Sequence, residues 1–283
     1  LYLPTVNIKG MGPAFKFGLT VMSTGFLFTL FMKADIMVAG RFIDATELGF
    51  YAVAIHLALM PMSKIMPLVN EVAYPMYAGI QHDRAEYQRI FGYLLRIITL
   101  FSFPFFYGFA AISEELVILI LGQQWQPSVL PLQLILLTIP LRIVSNLFTP
   151  LMKALGLPST GLIHVSFSLL LTVTFVYLAA SKGIVAIAAT WLITTPLFFM
   201  FALYLCSSRS GIEVKSVIKA VLPAFLLSAL MFSVLLGLKT LMLNDIDTLL
   251  RLPLLVVAGA FIYVSGMRWG FPQRFHEAAK FRI

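Results

Sequence analysis

Apolar residues run along this chain in long stretches separated by short polar turns. The stretches are too long for a buried strand and too evenly apolar for an amphipathic helix. With the prolines and charged clusters that interrupt them, they predict eight membrane-crossing helices, near 14–34, 48–79, 90–112, 128–155, 160–180, 184–206, 217–238 and 249–268. The second and fourth exceed a straight crossing. Each holds three prolines (Pro61, Pro67, Pro75; Pro131, Pro140, Pro150), which predicts kinked helices that line a cavity or extend past the lipid. The segment "SEELVILILGQQW", 113–125, is acidic and then apolar, and reads as a short interfacial turn anchored by Trp125. The expected class is all-α, a polytopic membrane protein with about eight transmembrane helices.

Composition agrees. Of 283 residues, 60% are hydrophobic and 11% charged, with a mean hydropathy of +0.95, so polar surface is too scarce to coat a soluble globule. The net charge of +8 does not point to nucleic acid, because the basic residues are scattered through short loops. Thirteen lie on one predicted side: Lys9, Lys16, Arg84, Arg89, Arg96, Lys153, Arg209, Lys215, Lys219, Arg268, Arg274, Lys280 and Arg282. Five lie on the other, namely Lys33, Arg41, Lys182, Lys239 and Arg251, while Lys64 and Arg142 fall inside helices. This bias predicts both ends in the cytoplasm. The single cysteine, Cys206, excludes a disulfide framework or a cysteine-based metal site. The chain opens on Leu1 and lacks a signal-peptide pattern, so it reads as part of a longer protein.

Polar residues inside the helices are the candidate chemistry. At 100° per residue, His56, Ser63, Lys64, Asn70 and Glu71 share about a third of the circumference of helix 48–79. In helix 128–155, Thr138, Arg142, Ser145, Asn146, Thr149 and Lys153 form a stripe about 100° wide. An unpaired Arg or Lys at mid-bilayer costs about 3 kcal/mol, so aligned charges imply a protein-lined or water-filled route. Lys64 either lines that route or pairs with Glu71 in a structural clamp. Arg142 either meets a carboxylate from elsewhere, such as Asp35, or faces a cavity and attracts an anion, for which phosphate fits its fork best. Near one predicted mouth, Arg41 either pairs with Asp35 to fix the turn or guides anionic cargo. His56 and His164 read as packing or hydrogen-bonding residues, and the 13 Met and 25 Phe as core and lipid-facing material. "NDID", 244–247, reads as a helix cap rather than a metal-binding Asp-x-Asp. Phosphate loops, zinc spacings and nucleophile triads are absent from the sequence, and no cofactor is expected.

The region "ADIMVAGRFIDATELGFYAVAIHLALMPMSKIMPLVNEVAYPMYAGIQHDRAEYQRIFGYLLRIITL", 34–100, resembles Wzx-type polysaccharide flippases of the multidrug/oligosaccharidyl-lipid/polysaccharide exporter superfamily. The resemblance rests on Asp35, Gly40-Arg41, Leu48-Gly49-x-Tyr51, Pro61, Tyr74-Pro75 and "QHDRAEYQR". "LGQQWQPSVLPLQLI", 121–135, and "LMKALGLPSTGL", 151–162, are similar to later landmarks. It implies the C-terminal lobe of a two-lobe transporter plus two extra helices: a cytoplasmic lead-in over 1–13 from a missing N-terminal lobe, a six-helix lobe over 14–206, two additional helices over 207–268 and a basic cytoplasmic tail over 269–283. It further implies alternating-access movement of an undecaprenyl-pyrophosphate-linked oligosaccharide across the bacterial inner membrane, for O-antigen, capsule or exopolysaccharide synthesis. Candidate substrate-binding residues are then Arg41, Lys64, Arg142 and Asn146. Asp35, His56 and Glu71 are candidates for coupling to H+ or Na+ or for structural pairing. Membrane lipid, the missing lobe and polysaccharide polymerase machinery are the implied partners.

Three other functions fit the sequence less well. An ion-coupled exporter of small organic cations needs carboxylates to dominate the stripes, whereas Glu71 alone faces Lys64, Arg142 and Lys153. A membrane-embedded polymerase or ligase needs a long catalytic loop, and no loop exceeds about twenty residues. A scaffold subunit that pairs with another chain is the third.

Overall fold

The computed structural model describes residues 12–241 and 247–270, and among them there are ten α-helices and no strand. In order these are α1 (Gly12–Ala39), α2 (Ala45–Gly79), α3 (Arg84–Ala111), α4 (Ser113–Leu121), α5 (Val129–Leu136), α6 (Ile139–Ala154), α7 (Ser159–Ala179), α8 (Ile184–Ser210), α9 (Val214–Leu241) and α10 (Thr248–Gly270). Seven are long and apolar enough to cross a membrane; counting the bent α5–α6 pair as one more gives eight. The protein is a multi-pass membrane protein, as the hydropathy pattern predicts. Large apolar side chains such as Phe15, Leu170 and Phe261 are exposed around the perimeter, where a hydrocarbon solvent makes them inexpensive.

Several boundaries differ from expectation for local reasons. α1 runs on to Ala39, past the expected end near 34, which carries Asp35 into the helix. Residues 113–125 are not a simple turn: nine of them form α4, and a 3-10 turn over Gln123–Ser128 leads into α5. Helix 128–155 does not remain whole. It breaks after Leu136 and resumes at Ile139 with a 45° bend, just before Pro140, which lacks an amide to continue the hydrogen-bond ladder. α2, by contrast, continues through Pro61, Pro67 and Pro75.

Asp44 caps α2, its side chain accepting from the amides of Thr46 and Glu47, and Asp83 caps α3 by accepting from Glu86 N. Asp247 likewise accepts from Leu249 N at 3.4 Å, which agrees with the capping reading of "NDID"; the rest of that motif lies outside the described residues. So do the greater part of the 1–13 lead-in and of the 269–283 tail.

The most extensive packing pairs α3 with α9 and α1 with α7, and α10 lies on α9. Two cores result. One joins α1, α2, α5, α7 and the first halves of α6 and α8. The other joins α3 with α9, α10 and the second halves of α6 and α8. Where α9 and α10 approach the α4 end, fully buried Glu115 sits between Lys239 (3.0 Å) and Arg251 (2.9 Å), and Lys239 also meets Glu114 at 2.6 Å. The Arg251 contact is a charge pairing rather than an aligned hydrogen bond, since neither of its two atoms makes one. This cluster ties the two later helices to the rest.

Candidate functional site

Helices α1, α2, α6, α7 and α8 line an open cavity of about 350 Å³. Its polar wall is α6. Arg142, Ser145, Asn146, Thr149 and Lys153 all line it, as the stripe calculated from the helical period requires. The facing walls are largely aromatic and aliphatic, with Phe28, Phe31 and Phe198 among them. Arg142 and Lys153 are the charged residues among the described lining, which contains no carboxylate.

Arg142 sits where four helices meet, and a relay of buried polar groups surrounds it. Asp35 on α1 is fully buried. Its Oδ2 accepts from the Tyr51 hydroxyl on α2 at 2.8 Å, and its Oδ1 accepts from Ile36 N at 2.8 Å. The Tyr51 oxygen in turn accepts from the indole N–H of Trp191 on α8 at 3.0 Å. The Arg142 guanidinium lies over the Trp191 ring, 3.7 Å from its centroid. Phe31 and Phe198 meet Trp191 edge-on, at 6.0 and 6.4 Å, which locks the platform in place.

Asp35 acts on Arg142 electrostatically, yet no salt bridge joins them among the described residues. Arg142 is 8% exposed, and its Nε and Nη2 have no hydrogen-bond partner there. Burying a guanidinium this way is costly unless something anionic answers it. The arrangement holds a cation flat on an aromatic plate at the edge of a cavity, with hydrogen-bonding capacity unspent.

The other candidates fall elsewhere. Asn146 lines the cavity beside Arg142. Arg41, Lys64, His56 and Glu71 are exposed and are not among the lining residues. The Asp35–Arg41 pair does not form: Asp35 points into the core toward Tyr51, whereas Arg41 lies in the exposed turn after α1. The Lys64–Glu71 clamp does not form either. α2 stays helical through Pro67, which keeps residues seven apart separated by about 10 Å along the axis. His164 also lines the cavity; its Nε2 lies 3.2 Å from the Phe198 carbonyl oxygen and its ring stacks on Phe201. Sequence reasoning missed Trp191 and the role of Tyr51. Their only signal was indirect, a Tyr and a Trp in apolar runs, each needing a partner for its polar atom.

Residues 2–130 match the family described as "Polysaccharide biosynthesis protein". Over 269 residues, 94% of its length, the chain is 24% identical to the teichuronic acid biosynthesis protein TuaB of Bacillus subtilis (strain 168). Over 64% of its length it is 26% identical to the lipopolysaccharide biosynthesis protein WzxC of Escherichia coli (strain K12). The chain resembles Wzx-type polysaccharide flippases. The chain spans 56% of TuaB and 36% of WzxC, about half or less of the relatives it matches. Its fold is similar to that of lipid II flippase MurJ in an inward closed conformation, with a TM-score of 0.71 and 15% identity over 96% of this chain and 57% of MurJ.

Proposed function

We propose that this chain supplies one lobe and two accessory helices of a flippase. The whole protein carries an undecaprenyl-pyrophosphate-linked oligosaccharide across the bacterial inner membrane, for O-antigen, capsule or exopolysaccharide synthesis, by alternating access and without covalent chemistry. Residues 14–206 form the lobe, 207–268 add the accessory pair, and both ends of this segment lie in the cytoplasm, consistent with the Lys/Arg bias. The other cavity wall comes from a further lobe, which also covers the polar α2 face carrying His56, Lys64 and Glu71. H+ or Na+ supplies the driving force, and a polysaccharide polymerase receives the product.

One observation carries the reading: the buried Arg142 guanidinium, supported from below by Trp191 and unsatisfied at Nε and Nη2, at the edge of a cavity without a lining carboxylate. A pyrophosphate brings the charge and acceptor oxygens this group lacks. Cavity sign argues against organic cations as cargo.

The test is Arg142→Ala in the complete protein, expressed where it is the sole flippase for its glycolipid. Translocation should fall at least tenfold while the amount of protein in the membrane is unchanged, and Arg142→Lys should restore part of it. Normal flux in Arg142→Ala would overturn the reading.

A further inference from the structure

α6 offers more than one cation. Arg142, Asn146, Thr149 and Lys153 recur at intervals of four, three and four residues and all line the cavity, so they climb one face of the helix in rungs about 5 Å apart. The two charged rungs are the end ones, separated by about 16 Å along the axis. Two phosphates joined by a single oxygen are far shorter than that and cannot touch both. The middle rungs are neutral, and neither the Asn146 amide nor the Thr149 hydroxyl makes a hydrogen bond among the described residues; Ser145, beside them, spends its hydroxyl on Leu141 O at 2.9 Å. At the Lys153 end the cavity wall includes Thr160. The Thr160 hydroxyl lies 3.4 Å from Nη1 of Arg209, which is also 3.2 Å from Ser159 Oγ, so a second guanidinium is held beside the Lys153 end.

We propose that α6 is a two-station track for a diphosphate: Lys153 and Arg209 capture it at the outer rung, Thr149 and Asn146 pass it inward, and Arg142 holds it at the deep end. The idea rests on the diphosphate reading above and adds an order of events to it. Capture at the first station is long-range and exposed, hence fast and salt-sensitive. Holding at the second is short-range and desolvated, hence slow to release.

Trp191 makes the deep station observable, because a diphosphate reaching Arg142 alters the field at the ring 3.7 Å away. The experiment uses the complete protein in nanodiscs with Trp125→Phe and Trp269→Phe, Trp191 as the only reporter from this segment and the tryptophans outside it also replaced. Geranylgeranyl diphosphate is the probe. Trp191 fluorescence after rapid mixing reports arrival, and retention of the radiolabelled probe reports total binding.

Lys153→Gln should slow arrival at least tenfold, flatten its salt dependence and leave the final amplitude unchanged. Arg142→Gln should abolish the fluorescence change yet leave a weaker, salt-sensitive retention. Thr149→Val should slow arrival without altering retention. If Lys153→Gln changes neither rate nor salt dependence while Arg142→Gln abolishes retention outright, there is a single station: the track is wrong and the anion site stands. If the protein bearing Arg142 and Lys153 retains no probe at all, the diphosphate reading itself fails and takes the track with it.

Discussion

Glu115→Gln is the sharpest test of how the two later helices are held. The side chain keeps its shape but loses the charge that faces Lys239 and Arg251 at 3.0 and 2.9 Å. Removing one member of a buried ion pair costs about 3–5 kcal/mol, because the partner is left buried and uncompensated. Two features place this case at the low end. Lys239 keeps Glu114 at 2.6 Å, and the Lys239 and Arg251 side chains retain 10% and 11% exposure, so only Arg251 is orphaned, with some access to water. The expected loss is about 3 kcal/mol. Arg251→Met alone leaves Glu115 bonded to Lys239 and should cost about 1 kcal/mol, the loss of one charge pairing that keeps some access to water. The double variant should cost less than the sum, since it removes both the charge and the group it stranded.

Cys206 provides the readout. It is the only cysteine, fully buried in the core shared by α3, α6, α8 and α9, so maleimide reacts with it as that core opens; any cysteine in the remainder of the complete protein is first replaced. SDS titration followed by labelling of Cys206 gives a midpoint and a free energy for each variant. Strictly additive losses, or a Glu115→Gln loss below about 1 kcal/mol, would refute the clamp.

Three further outcomes follow from the geometry. Tyr51→Phe breaks the hydrogen bonds to Asp35 and from Trp191; it should cost about 2 kcal/mol and shift Trp191 emission, both absent if the relay is idle. Gly211→Ala forces an alanine into φ +68° against the Arg84 guanidinium and should lower stability by about 1–2 kcal/mol, measured in the same SDS titration, whereas an unchanged midpoint would mean that the turn relaxes freely. With Cys206→Ser as background, His82→Cys should react with an impermeant maleimide only from the cytoplasmic side and Phe42→Cys only from the opposite side; the reverse would invert the orientation inferred from the basic residues.

The helix count and the α6 stripe were legible because both depend on local period alone: hydropathy over twenty residues and 100° per residue need no knowledge of neighbours. Asp35 was legible as a possible counter-charge to Arg142, but its route was not. That carboxylate reaches Tyr51, sixteen residues away, and through it Trp191, 140 residues farther on, and no periodicity encodes such a meeting. The mistaken Asp35–Arg41 and Lys64–Glu71 pairs have a common origin: each joined charges that were near in sequence, whereas in an apolar fold a buried charge is answered by whichever helix packs across from it. Glu115 makes the same point, since its partners come from α9 and α10, more than a hundred residues later.

The break between α5 and α6 has a mechanical consequence. Leu137 and Thr138 lie outside both helices, and Pro140 removes an amide that could splint the joint, so any rotation of α6 about that joint acts as a lever. Rotation by about 10° about Thr138 moves a point at Arg142 by about 1 Å and one at Lys153 by about 4 Å, their arms being about 6 and 22 Å. The lever is nearly stationary at its grip and sweeps widely at its tip. A small rocking of α6 therefore leaves Arg142 on its indole plate while the far end of the row is carried toward or away from the opposite wall.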